Sequence, residues 1–83
     1  MNNENIIIQL NTVFRDVFND NKIMVEARTV SSDIDGWDSL MHISLISAIE
    51  NEFDIKFSMK DIVGMKNVGE MIEIIERECR ENM

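Results

Sequence analysis

Proline and tyrosine are absent from this chain of 83 residues, and cysteine, histidine and tryptophan each occur once. The lone Cys79 closes no disulfide within the chain, and no Cys/His set has the spacing of a metal site. Without such staples, a chain close to the size at which a core alone becomes marginal must be held by packed apolar side chains. A hydrophobic content of 45% makes that feasible. Basic residues are also scarce, with 8 Lys and Arg against 16 Asp and Glu, for a net charge of -8. That balance argues against nucleic acid, whose phosphates require a basic surface, and favours docking on basic patches of other proteins. No apolar run reaches membrane-spanning length. Met1 to Asn5 lacks the plan of a secretory signal, so a cytoplasmic location is expected. The length leaves no room for a two-domain enzyme with a cofactor fold, and residues 1–83 are read as one domain.

With no proline and with glycine only at Gly36, Gly64 and Gly69, punctuation is sparse. Ile6, Ile7, Leu10, Val13, Phe14, Val17 and Phe18 recur at three- and four-residue steps, which predicts an amphipathic helix capped by Asn2 or Asn3. Residues 20–38 show no sustained period, and a loop this long in so small a chain points to function. Met24, Val25, Val30 and Ile34 are expected to pin it to the core. A second helix is predicted from Ser39, with Asp38 or Ser39 as its cap. Its expected inward stripe is Leu40, Ile43, Ile46, Ile49 and Phe53, widened by Leu45 and Ala48. Phe53, Ile55 and Phe57 alternate with polar residues, as in an extended connector that buries every second side chain. Ser58 opens a short helix ending near Gly64, and Asn67-Val68-Gly69-Glu70 opens a last one facing inward through Val68, Met71, Ile72, Ile75 and Cys79. The fold class is therefore all-α: a small four-helix bundle of three main helices and one short one, with a long loop between helices one and two.

The loop enters the second helix through Ile34-Asp35-Gly36-Trp37-Asp38-Ser39-Leu40. A serine there faces the positive end of a helix dipole, a favourable place for an anionic group, bound or attached. Three other chemistries fit worse. A hydrolase would need Ser39 activated by His42, the only histidine, yet no oxyanion hole or strand–turn–helix nucleophile elbow accompanies them. Calcium at Asp33, Asp35 and Asp38 would need glycine and glutamate where Asp38 and Ser44 stand. The seven methionines are dispersed rather than striped, unlike an adaptable binding groove.

Asp38-Ser39-Leu40 followed by an apolar helix resembles the signature of acyl carrier proteins and related phosphopantetheine-binding carriers. Ala48 to Ile55 resembles the end of that family's second helix, Ser58 to Met65 its short third helix, and Asn67 to Ile72 the start of its fourth. The resemblance implies that a phosphopantetheinyl transferase attaches 4′-phosphopantetheine to the Ser39 hydroxyl. Asp38 would help that transferase recognise the site, and Leu40 would be an adjacent apolar contact. The arm would carry acyl or aminoacyl groups as thioesters between a loading ligase and downstream pathway enzymes, on a non-catalytic, monomeric carrier. Family members of this kind either shelter a fatty chain between helices or leave a polar group in solvent.

Fatty-acid carriers usually place acidic residues early in the second helix, whereas Met41 and Ser44 stand here and no acidic residue occurs from Ser39 to Ile49. Trp37, Met41 and His42, with Glu50 and Glu52 at the far end, are the expected docking residues. These departures imply a specialised pathway (polyketide, peptide, lipid or saccharide modification). The alternatives are housekeeping fatty acid synthesis, or an unmodified carrier fold serving as a regulatory module.

Overall fold

The structure, a computed structural model, describes residues 3–81. Four helices follow one another: α1 (Asn3–Phe18), α2 (Ser39–Phe53), α3 (Met59–Gly64) and α4 (Val68–Glu81), with a 3₁₀ turn at Ser31–Asp33. No strand occurs among the described residues. The cap expected from Asn2 or Asn3 lies outside the described side chains. The Cα radius of gyration, 11.7 Å, matches the roughly 12 Å of a packed chain of this length.

Helix α1 packs against both α2 and α4. Its stripe contributes Ile6, Leu10, Val13 and Phe14 to the core, with Phe14 fully enclosed. α2 adds Leu45, Ile46, Ile49 and Phe53, and α4 adds Val68, Met71, Ile72 and Ile75. The connector after α2 alternates as its sequence requires: Phe53, Ile55 and Phe57 are buried while Asp54 and Lys56 are exposed. Asp54 takes the left-handed conformation that ends α2 (φ 55°), a role an aspartate fills at small cost.

Polar side chains of α1 hold the loop down. The Val25 N–H donates to Asn11 Oδ1 at 2.7 Å, and Arg15 Nε donates to the Ile23 carbonyl at 2.8 Å. The far side of the loop is clamped by α4, whose first amides, Val68 and Gly69, donate to the carbonyls of Thr29 (2.9 Å) and Ala27 (2.7 Å). The approach is so close that a Cβ on Gly69 would sit 3.0 Å from the Ala27 oxygen. These bonds satisfy helix-end donors and loop acceptors together, which is why nineteen or so residues without periodic structure remain ordered.

Two apolar expectations are corrected. Met24 is 77% exposed, which leaves buried Val25, with half-buried Val30 and Ile34, to pin the loop. Leu40 and Ile43 are 78% and 56% exposed rather than core. At about 100° per residue, the centre of the buried face set by Leu45, Ile46, Ile49 and Phe53 lies roughly opposite Leu40 and about a quarter-turn from Ile43. His42, not an apolar residue, occupies that inward line in the first turn of α2.

Phe14→Ala should cost about 3–5 kcal/mol by the deletion of an enclosed aromatic ring. Urea denaturation checks it; near-parental stability would mean that the α1 face is wrongly placed.

Candidate functional site

The end of the long loop sets the site. Ile34 to Trp37 forms a tight turn closed by the Trp37 N–H on the Ile34 carbonyl (3.3 Å). Gly36 adopts φ 87° there, a conformation that side chains resist. The turn sends the Trp37 indole inward, where it meets Phe14 edge-on at 5.3 Å and Phe18 at 6.2 Å between ring centroids. Anchored this way, the chain emerges at Asp38, whose Oδ1 accepts from the Met41 N–H at 2.8 Å and caps α2. Ser39 is the first helical residue and is exposed. Asp38 and Ser39 thus stand together at the positive end of a 15-residue helix, with the hydroxyl presented to solvent.

A cleft of about 500 Å³ opens beside Ser39, bounded by α2, α3 and the start of α4. Ile43, Ile62, Val63, Met65 and Met71 give it an apolar lining, with Asp38, Ser39 and Lys66 among its polar residues. Its α3 wall is lightly held, because no residue of α3 is buried. Ser58 caps α3 through the Asp61 N–H at 3.1 Å. Asp61 pairs with Arg77 of α4 at 2.8 Å. Desolvation alone would push the Asp61 carboxyl up, but the hydrogen bonds of Arg77 and Ser58 outweigh it and hold it below the usual aspartate value.

Trp37 and His42 are half-buried rather than surface residues. The indole Nε1–H donates to His42 Nδ1 at 3.0 Å, and the rings stack with centroids 5.9 Å apart. His42 Nε2 faces the Ile62 carbonyl at 3.2 Å. Both ring nitrogens are therefore engaged away from Ser39, which argues against a Ser/His catalytic pair. Sequence reading missed this position. The signal was present in the spacing His42, Leu45, Ile46, Ile49, Phe53, which is the buried line of α2. Met41 is half-buried and Glu52 exposed. Glu50 has an internal partner, since its Oε2 accepts from the Phe57 N–H at 2.8 Å. The exposed apolar side chains near Ser39 are instead Leu40, Ile43 and, from α3, Val63, which is 78% exposed.

An acidic-pH comparison tests the α3 tether. The Asp61–Arg77 contribution is present above the unfolded carboxyl value and is lost as pH falls through the lower folded value. Asp61→Asn should melt earlier than the parent at neutral pH and converge with it in acid; an unchanged gap across that range would exclude the tether.

Residues 9–75 match the phosphopantetheine attachment site family. Comparison with curated protein sequences gives no significant match. Among solved structures, the solution structure of holo acyl carrier protein from Geobacter metallireducens superposes with a TM-score of 0.86 at 34% identity, covering 92% of this chain and 87% of that one. The four-helix architecture, the capped serine at the start of α2 and these matches make one assignment: the chain belongs to the acyl carrier protein family, whose members are carriers bearing covalent 4′-phosphopantetheine.

Proposed function

We propose that residues 1–83 form one carrier unit in which Ser39 bears the phosphopantetheine arm and whose cargo belongs to a specialised pathway. The observation that carries the attachment site is the exposed Ser39 hydroxyl as first residue of α2, beside the Asp38 cap. A phosphodiester there gains from the helix dipole and the amides of the first turn. No base in this chain is needed, because the transferase supplies it. Once attached, the arm provides a thiol that holds acyl or aminoacyl groups as thioesters. The protein's own part is to present the hydroxyl, to offer Asp38 to the transferase, and to line the neighbouring cleft with apolar side chains that suit an acyl chain.

The specialised reading rests on the surface around Ser39. Leu40 and Ile43 are exposed, and no acidic side chain stands in the first turn of α2. Partners such as the transferase, a loading ligase and later pathway enzymes would then meet an apolar patch of Leu40, Met41 and Ile43, with Glu52 at the far end of the helix. Charge selects partners and speeds encounter, so a neutral first turn favours enzymes other than those that grip an acidic one. The net charge of -8 would still supply long-range attraction to basic partners.

Co-expression with a broad-specificity phosphopantetheinyl transferase should add one arm's mass to the intact protein and none to Ser39→Ala. No gain in the parent, or a gain in the variant, would refute the attachment site. Leu40→Glu and Ile43→Glu, both at exposed positions, should change stability by less than about 0.5 kcal/mol while slowing cargo loading about tenfold. Unaltered loading by the cognate ligase would place the docking surface elsewhere.

A further inference from the structure

The Trp37–His42–Ile62 chain of contacts has a chemistry that restricts what His42 can be. An indole N–H only donates, so His42 Nδ1 must be the acceptor. The ring hydrogen then lies on Nε2, aimed at the Ile62 carbonyl. That carbonyl is one of the last four of α3, which have no partner within their own helix. One imidazole therefore joins three parts of the chain: the loop leading to Ser39, the first turn of α2, and the C-terminal half of α3.

We propose that His42 is a positioning residue, a latch that holds α3 across the cleft beside Ser39, with Trp37 selecting the tautomer that makes the latch work. α3 is the element for which such a bond matters most. It has no buried residue, and among the described residues its other polar tie to another helix is the Asp61–Arg77 pair, toward its N-terminal half. Ile62 and Val63 form the cleft wall at the latched end. Because Trp37 is wedged on Phe14 and Phe18, the imidazole is fixed from the core side, and the Ile62 contact transmits that fixed position to the wall. The width of the cleft is thereby set from the same aromatic cluster that sets the Asp38–Ser39 turn. Its use by the carrier rests on the Ser39 reading above, but its existence does not.

Amide hydrogen exchange on the unmodified full chain tests the latch. In His42→Ala, the Asp61 and Ile62 amides of α3, bonded to Ser58, should exchange about three- to tenfold faster relative to those of α1 and α4, the change that one neutral hydrogen bond supports. His42→Gln, whose amide can accept from Trp37 and donate to Ile62, should return α3 to within about twofold of the parent. Trp37→Phe keeps an aromatic ring and removes the N–H, and it should also loosen α3 selectively; it carries the test if His42→Ala does not fold. Equal acceleration in every helix, or unchanged exchange in α3, would overturn the latch. On the arm-bearing chain, hydroxylamine cleavage of an octanoyl thioester, relative to an acetyl one, should accelerate in His42→Ala as the wall loosens; an unchanged ratio would overturn the positioning role. A Ser39 that takes no arm would instead refute the attachment site and leave the exchange result standing.

Discussion

The edge-on packing of Trp37 against Phe14 is the contact from which the rest of the site follows. Phe14 is enclosed in the core of α1, and the indole closes over it from the end of the long loop. Were the loop free at this point, the start of α2 would have no fixed place, and a helix terminus without a fixed place is a poor platform for an enzyme to recognise. With Trp37 seated, Gly36 turns the backbone, Asp38 caps, and Ser39 comes out at the surface. An aromatic contact worth about a kcal/mol beyond its buried area thus ties the hydrophobic core to a single exposed hydroxyl.

The loop shows how a small fold stays ordered with few regular elements. Its backbone groups are shared out between neighbouring helices: Asn11 and Arg15 of α1 on one side, the opening amides of α4 on the other. The result is a structure of unequal stiffness. The elements that fix the position of Ser39 are attached to the core by packing and several hydrogen bonds, whereas α3 rests against it with half-buried Ile62, the neighbouring Met65 and a few polar contacts. Local opening is drawn from the least buried elements of a fold, and here that element borders the cleft next to Ser39.

Much of this could be read from residues alone, and the failures have a common cause. The α1 and α4 stripes, the alternation of Phe53, Ile55 and Phe57, and the Ser58 and Asn67 caps are local patterns, and each stands where its pattern predicts. Leu40 and Ile43 were misread because a stripe stepped mostly by three residues drifts around an α-helix, so apolar residues in line with Ile46 by spacing leave the buried face toward the start of α2. His42 went unrecognised as an inward residue because polar side chains are assigned to the surface by type. Its burial depends on two partners, Trp37 and Ile62, five residues back and twenty residues on. The helical spacing puts His42 on the buried line, but pairings at those separations are written in no local pattern. Glu50 is the same case in milder form, since the Phe57 amide it accepts from lies beyond the end of its own helix.

The chain carries one tryptophan, two residues before Ser39, and the fold stacks it on the only imidazole in the molecule. Indole emission is sensitive to the polarity of its surroundings and to a neighbouring ring. Any event at Ser39 that shifts the turn, or any movement of α3 that frees His42, reaches this one chromophore directly. The protein therefore contains its own optical probe of the carrier segment, unlabelled and uncontested by other indoles or by tyrosine.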